Sequence, residues 1–145
     1  MRKYAFIGCG SIAGAILRYL LEQTQHSGYH GAIPLNTLFI NLTGAFLMGF
    51  LLTAALEFLA VGADLRAGMT TGLLGAYTTF STMCKEASVL FFQSNPVSAL
   101  FYLAVSVSAG LVAVCLGAAS ARAVGARYER RKKPELPGVE DPEAD

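Results

Sequence analysis

The sequence predicts an all-α integral membrane protein with four spans per chain, the third of them a broken helix. Three observations carry that prediction. The 145 residues are 54% hydrophobic and 14% charged, against roughly 25% charge in an ordinary soluble domain. The charge is also segregated: residues 4–121 hold only Arg18, Glu22, Glu57, Asp64, Arg66, Lys85 and Glu86. The uncharged runs 4–17, 23–56, 67–84 and 87–121 are long enough to build four crossings, each needing about 20 mostly apolar residues. A soluble enzyme or a nucleic-acid binder needs a polar exterior, and residues 4–121 have none to offer.

The first span covers about 4–21. No hydrophilic domain follows it, so it is expected to stay as a span and not to be removed as a leader. The loop after it holds His26, Gly28, His30 and Gly31. The two histidines have zinc-like spacing but no third ligand nearby, and are expected at a loop surface. The second span covers about 35–59. A turn at 60–66, with Gly62 and Asp64, leads to the third, about 67–92. The turn before Pro96 follows from the bias of a pre-proline residue against helix, and the fourth span covers about 97–124. The four-span membrane domain is thus 1–124. Residues 125–145 are a basic, then Pro-rich and acidic tail, its end expected to lack fixed structure.

Small residues recur at helical spacing in the pairs Gly10/Gly14, Ala45/Gly49, Gly68/Gly72 and Ser106/Gly110, which in lipid let helix backbones approach closely. Cys9, Cys84 and Cys115, an odd number spread over apolar segments, are expected to be reduced and buried. Gly8, Gly10 and Gly14 imitate a dinucleotide fingerprint, but lie inside a continuous apolar run with no acid at the required distance. Asn41-Leu42-Thr43 matches a glycosylation sequon in mid-span, where no transferase reaches.

Polar groups inside spans usually face the bundle or a water-filled path. The second span carries Asn36, Thr37, Asn41 and Thr43, with Thr37 and Asn41 on one helix face. The fourth carries Tyr102, Ser106 and Ser108. Any one hydroxyl also has the option of bonding its own helix backbone. In the third span, two glycines, the pair Thr78-Thr79 and the pair Ser81-Thr82 make a continuous helix unfavourable. A break is expected near 75–79, where freed backbone must be buried in protein or line a cavity. The lining offers the Asn41 amide, the hydroxyls of Thr37, Ser81, Thr82, Tyr102 and Ser106, and the electropositive ring edge of Phe80. Arg18 ends the first span with a positive charge. No carboxylate is expected in the middle of a span, and donors without acids point to a small anion.

With these residues in view, the chain resembles the Fluc (CrcB-type) fluoride channels over about residues 5–120. Residues 10–19 (GSIAGAILRY), 36–44 (NTLFINLTG) and 70–82 (TTGLLGAYTTFST), the last followed by Glu86, look like the family's patterns in order. The spacing to Tyr102 and Ser106 also fits. The resemblance implies a passive fluoride-selective channel that exports fluoride and protects the cytoplasm, without enzymatic chemistry. It implies an antiparallel dimer, with the partner either a second copy or an oppositely inserted homologue. It places Asn41 and Phe80 in the pore, Thr37, Ser81, Thr82, Tyr102 and Ser106 along a polar track, and Arg18 at a vestibule. It implies a structural sodium ion at the dimer centre, held by the backbone carbonyls of Gly75 and Thr78. Two positions depart from the pattern. Met83 stands in the pore where the family often has a second phenylalanine, and Gly110 ends the fourth-span stripe where some relatives have a hydroxyl.

With four spans, one side holds nine basic residues (Arg2, Lys3, Arg66, Arg122, Arg127, Arg130, Arg131, Lys132, Lys133) and the other two, Arg18 and Lys85. The positive-inside rule then puts both termini in the cytoplasm. Set against the channel are a small multidrug-type proton-coupled cation exporter, which needs a membrane-buried acid that the first span lacks, and a non-transporting assembly protein.

Overall fold

The computed structural model describes residues 1–24, 34–59, 61–93 and 95–132, and those residues are almost wholly helical, with no strand among them. His26, His30 and the tail beyond residue 132 lie outside the described residues. The helices are α1 (Arg2–Thr24), α2 (Leu35–Glu57), α3 (Ala63–Ala67), a π-helical run (Gly68–Leu74), α4 (Gly75–Tyr77), α5 (Phe80–Gln93) and α6 (Pro96–Lys132). Among the described residues three segments, Arg2–Gln23, Leu35–Glu57 and Pro96–Arg130, are long and apolar enough to cross a membrane.

The segment expected as a single third span is helical only in pieces. The expected turn at 60–66 is shorter than the sequence suggests, because α3 already begins at Ala63. The helical path then widens to the π-run and stops at Thr78, whose backbone is extended (φ −78°, ψ 157°). It restarts at Phe80. The fourth helix starts where the sequence places it, because Asn95 Oδ1 accepts the Val97 N–H at 2.8 Å ahead of Pro96 at the first helical position. It does not end near residue 124 but runs on through Lys132.

Burial is organised for lipid. Large apolar side chains such as Ile12, Leu56, Leu100 and Leu111 are more than half exposed. The small buried cluster, Met83, Ala87, Leu90, Ala99 and Tyr102, joins α5 to α6, with Leu38 of α2 packed on it. Glycines make the helix crossings. Gly10 and Gly14 of α1 lie against the Gly68 and Leu73 carbonyls, and Gly68 and Gly72 of the π-run lie against the α1 backbone at Phe6 and Ile7. The π-run thus turns a glycine-lined face onto α1. Gly49 of α2 lies on the Val114 carbonyl, and Gly117 of α6 on the Phe46 carbonyl. Such close approach replaces the hydrophobic drive that lipid removes. Gly110 has no neighbour of this kind among the described residues, so the Ser106/Gly110 pair makes no crossing there. At one end of the α2–α6 pair, Arg122 Nη2 and Nε reach Glu57 Oε1 at 2.9 and 3.0 Å. The cysteines are free but none is buried. Their small apolar side chains sit on outward faces, which hydrocarbon tolerates as readily as a core.

Candidate functional site

The interruption at Thr78–Thr79 is where the polar groups of α2 gather. Asn41 grips one residue at both its backbone groups: Asn41 Nδ2 donates to the Thr79 carbonyl at 3.0 Å, and the Thr79 N–H donates to Asn41 Oδ1 at 2.8 Å. Thr79 is 4% exposed, so water cannot substitute for the amide. Each such bond is worth roughly 1 kcal/mol net, while orphaning a buried backbone group costs about 1–3 kcal/mol. Two residues further along α2, the Thr43 and Tyr77 hydroxyls lie 2.8 Å apart. Gly44 allows the close approach, since a side chain there would strike Thr78 and the Tyr77 ring.

Thr79 also starts α5. Its Oγ1 accepts the Thr82 N–H at 3.2 Å and donates to Thr82 Oγ1 at 2.8 Å, the bond pattern of a helix N-cap. Ser81 is exposed, its Oγ 3.5 Å from Thr79 Oγ1. Beside the break, Asn41, Gly44, Thr78, Phe80, Met83 and Val114 help line an open groove of about 280 Å³. Phe80 is 74% exposed within the single chain, whereas Met83 is buried at 7% and also belongs to the core cluster. With one Nδ2 hydrogen given to Thr79, the Asn41 amide keeps a second for another acceptor.

A second cluster lies one helical turn away, because Thr37 and Asn41 are four apart on α2, as are Glu86 and Thr82 on α5. Thr37 Oγ1 donates to Glu86 Oε1 at 2.7 Å, and the Tyr102 hydroxyl donates to Glu86 Oε2 at 2.9 Å. Ser106 Oγ donates to the Tyr102 carbonyl at 2.7 Å, the local backbone option open to any helical serine. Thr37 and Tyr102 are buried, at 4% and 1% exposure.

This cluster is built around a carboxylate to which the sequence alone assigns no partners. Glu86 sits midway along Phe80–Gln93, half-buried, and takes the hydroxyl donors of Thr37 and Tyr102 onto its own oxygens. Glu86 falls toward the end of the expected third span, 67–92, and midway along its second helical piece, α5. The signal was present in the pairing of Thr82/Glu86 with Thr37/Asn41 at the same spacing. Thr79 was missed too, although Thr79-x-x-Thr82 is the spacing of a capping threonine.

The structure therefore joins Asn41, Thr78, Phe80 and Met83 around one groove, with Ser81 and Thr82 at its capping threonine, and Thr37, Tyr102 and Ser106 around Glu86. Arg18 is not part of either cluster. It lies on α1, its Nε 3.9 Å from Glu22 Oε1 one turn on. Gly75 and Thr78 bracket α4 on the near side of the break.

Residues 5–118 match the family model described as "CrcB-like protein, Camphor Resistance (CrcB)". A relative from Moorella thermoacetica named "Fluoride-specific ion channel FluC 1" is 42% identical over 119 residues, 82% of this chain and 85% of that protein. One from Rhizobium meliloti, "Fluoride-specific ion channel FluC", is 37% identical over 126 residues, covering 86% and 99%. One of the same name from Acidithiobacillus ferrooxidans is 42% identical over 120 residues, covering 83% and 92%.

Proposed function

The chain belongs to the CrcB family, and from that premise we propose that it is a multi-pass membrane subunit of a passive fluoride channel, one that lets fluoride leave the cytoplasm down its gradient. It catalyses no covalent reaction. The observation that carries this reading is the groove at the helix interruption, where an amide donor from Asn41 and the ring of Phe80 converge in a chain otherwise built for lipid. A dehydrated small anion needs donors close at hand and no fixed negative charge in the same shell. The relatives' names supply the identity of the ion.

In this reading the chain crosses the membrane four times, α3 to α5 forming the third, interrupted crossing. Freed backbone at that depth is tolerable because it lines a cavity and is bonded by Asn41. The exposed face of Phe80 is covered by an antiparallel partner, a second copy or an oppositely inserted homologue. Fluoride passes between the subunits by Asn41, Phe80 and Met83. Ser81, Thr82, Thr37, Tyr102 and Ser106 form the adjoining polar track, with Glu86 as an acceptor that holds two of its hydroxyls in place. Arg18 stands at the entrance.

The residues also suit a structural sodium ion. The backbone leaves helical geometry at Thr78, and unwound carbonyls are neutral oxygen ligands of the kind that coordinate sodium in broken membrane helices. The Gly75 and Thr78 carbonyls would hold it. When bound, it supplies a positive charge that ties together backbone dipoles of two subunits.

Reconstituted in liposomes, the Phe80→Ile variant loses the ring edge but keeps an apolar side chain on an exposed position. Its fluoride efflux falls to the leak of protein-free liposomes, while the protein stays helical and monodisperse. Normal efflux from Phe80→Ile removes the groove from the pathway. The charge asymmetry of nine basic residues to two puts both termini in the cytoplasm. Thiol labelling of cysteines introduced near Met1 and Lys85 in intact cells should give one orientation, with the second site alone reached from outside. Equal populations of both orientations contradict it.

A further inference from the structure

Resting on the sodium reading above, we infer that Asn41 and Thr79 are positioning residues that keep the Gly75 and Thr78 carbonyls free for the cation. In a continuous α-helix the carbonyl of residue i accepts the N–H of residue i+4. The helical donor for Gly75 is therefore Thr79, and the helical donor for Thr78 is Thr82. Both donors are diverted by side chains. The Thr79 N–H goes to Asn41 Oδ1 at 2.8 Å, and the Thr82 N–H goes to Thr79 Oγ1 at 3.2 Å.

The diversion is held from two sides. Asn41 Nδ2 also donates to the Thr79 carbonyl at 3.0 Å, so one amide fixes both backbone groups of that residue. Gly44 lets α2 come against Thr78 without a side chain in the way. The Thr79 hydroxyl, in turn, is held by its bond to Thr82 Oγ1 at 2.8 Å. Asn41 thus governs the Gly75 carbonyl from α2, and the Thr79 hydroxyl governs the Thr78 carbonyl from within the break. The Asn41 amide has two tasks separable by chemistry: its oxygen frees a carbonyl, while its nitrogen carries the hydrogens available to a neighbouring oxygen or an anion.

The test is sodium-dependent thermal unfolding of the purified full chain, with sodium chloride exchanged for N-methylglucamine chloride at constant ionic strength, beside fluoride efflux from liposomes. The wild-type melting temperature rises with sodium and saturates. Asn41→Leu and Thr79→Val each raise the sodium concentration giving half that rise by about tenfold or more, beyond any change in the sodium-free melting temperature. Thr79→Ser keeps the oxygen and restores the wild-type midpoint. Asn41→Asp keeps an acceptor for the Thr79 N–H, so it retains the sodium response while losing fluoride flux, a split that a merely structural role does not produce. If Asn41→Leu does not yield folded protein, Asn41→Asp against Thr79→Val carries the comparison. A wild-type sodium midpoint in Asn41→Leu and Thr79→Val overturns the inference. So does a wild-type chain that conducts fluoride but has no sodium response, which removes the cation as well. Variant-sensitive sodium binding in a chain that moves no fluoride supports the positioning roles and overturns the channel reading instead.

Discussion

Asn41→Asp abolishes fluoride efflux from liposomes while leaving the helical fold in place. The substitution changes one atom pair, yet it reverses the electrostatics of the groove. The Asn41 amide presents a donor beside Phe80 and Thr78. Aspartate presents a negative charge at the same place. At a separation of about 4 Å and an effective dielectric constant near 20, two like unit charges repel by roughly 4 kcal/mol. That corresponds to about a thousandfold in rate. The fold survives because one carboxylate oxygen still accepts the Thr79 N–H, although the bond to the Thr79 carbonyl is lost. A fluoride electrode reads the flux, and circular dichroism with size-exclusion chromatography reads the fold. Fluoride efflux at the wild-type rate would remove Asn41 from the pathway.

Gly117→Val has the second large effect, and it acts on the fold. A Cβ at Gly117 would meet the Phe46 carbonyl and lie 3.0 Å from the Phe50 N. Both are backbone atoms of α2, so neither has a rotamer with which to withdraw. The helices must separate, and the α2–α6 contact is the most extensive between helices among the described residues. Overpacking of this kind costs about 1–3 kcal/mol, sometimes more. Separation also pulls Gly49 off the Val114 carbonyl and stretches the Glu57–Arg122 ion pair. The expected outcome is a lower melting temperature and loss of the monodisperse peak in detergent. Gly8→Ala is the matched control: nothing lies within 4 Å of a Cβ there, and alanine favours helix over glycine by about 1 kcal/mol. Unchanged melting of Gly117→Val would mean the glycine crossing does not hold α2 to α6.

Much of this architecture is legible in the chain because a membrane makes severe demands on composition. Runs as apolar as 35–57 and 96–121 have few other outcomes, and the glycine spacing of Gly10/Gly14 and Gly68/Gly72 marks faces fit for close approach, though not which helix lies opposite. The polar residues of α2 are legible one by one, since a side chain such as Asn41 is conspicuous among leucines and phenylalanines. Their partners are not. That Asn41 holds Thr79, and that Thr37 and Tyr102 converge on Glu86, depends on how far α5 is rotated and shifted by the interruption, and no local pattern encodes that offset. The cysteines misled for a different reason. Burial rules drawn from water-soluble cores place small apolar residues inside, whereas here the outward faces are apolar too. The end of α6 was misplaced because the change from apolar to basic composition at residue 122 marks an interface with water, and a helix has no need to stop there.

The most direct measurement is fluoride against chloride efflux from liposomes carrying the purified wild-type chain, with potassium movement short-circuited by valinomycin. The account requires rapid release of trapped fluoride and retention of chloride at the level of protein-free vesicles. Fluoride release no faster than from empty vesicles, or chloride release at a matching rate, contradicts it.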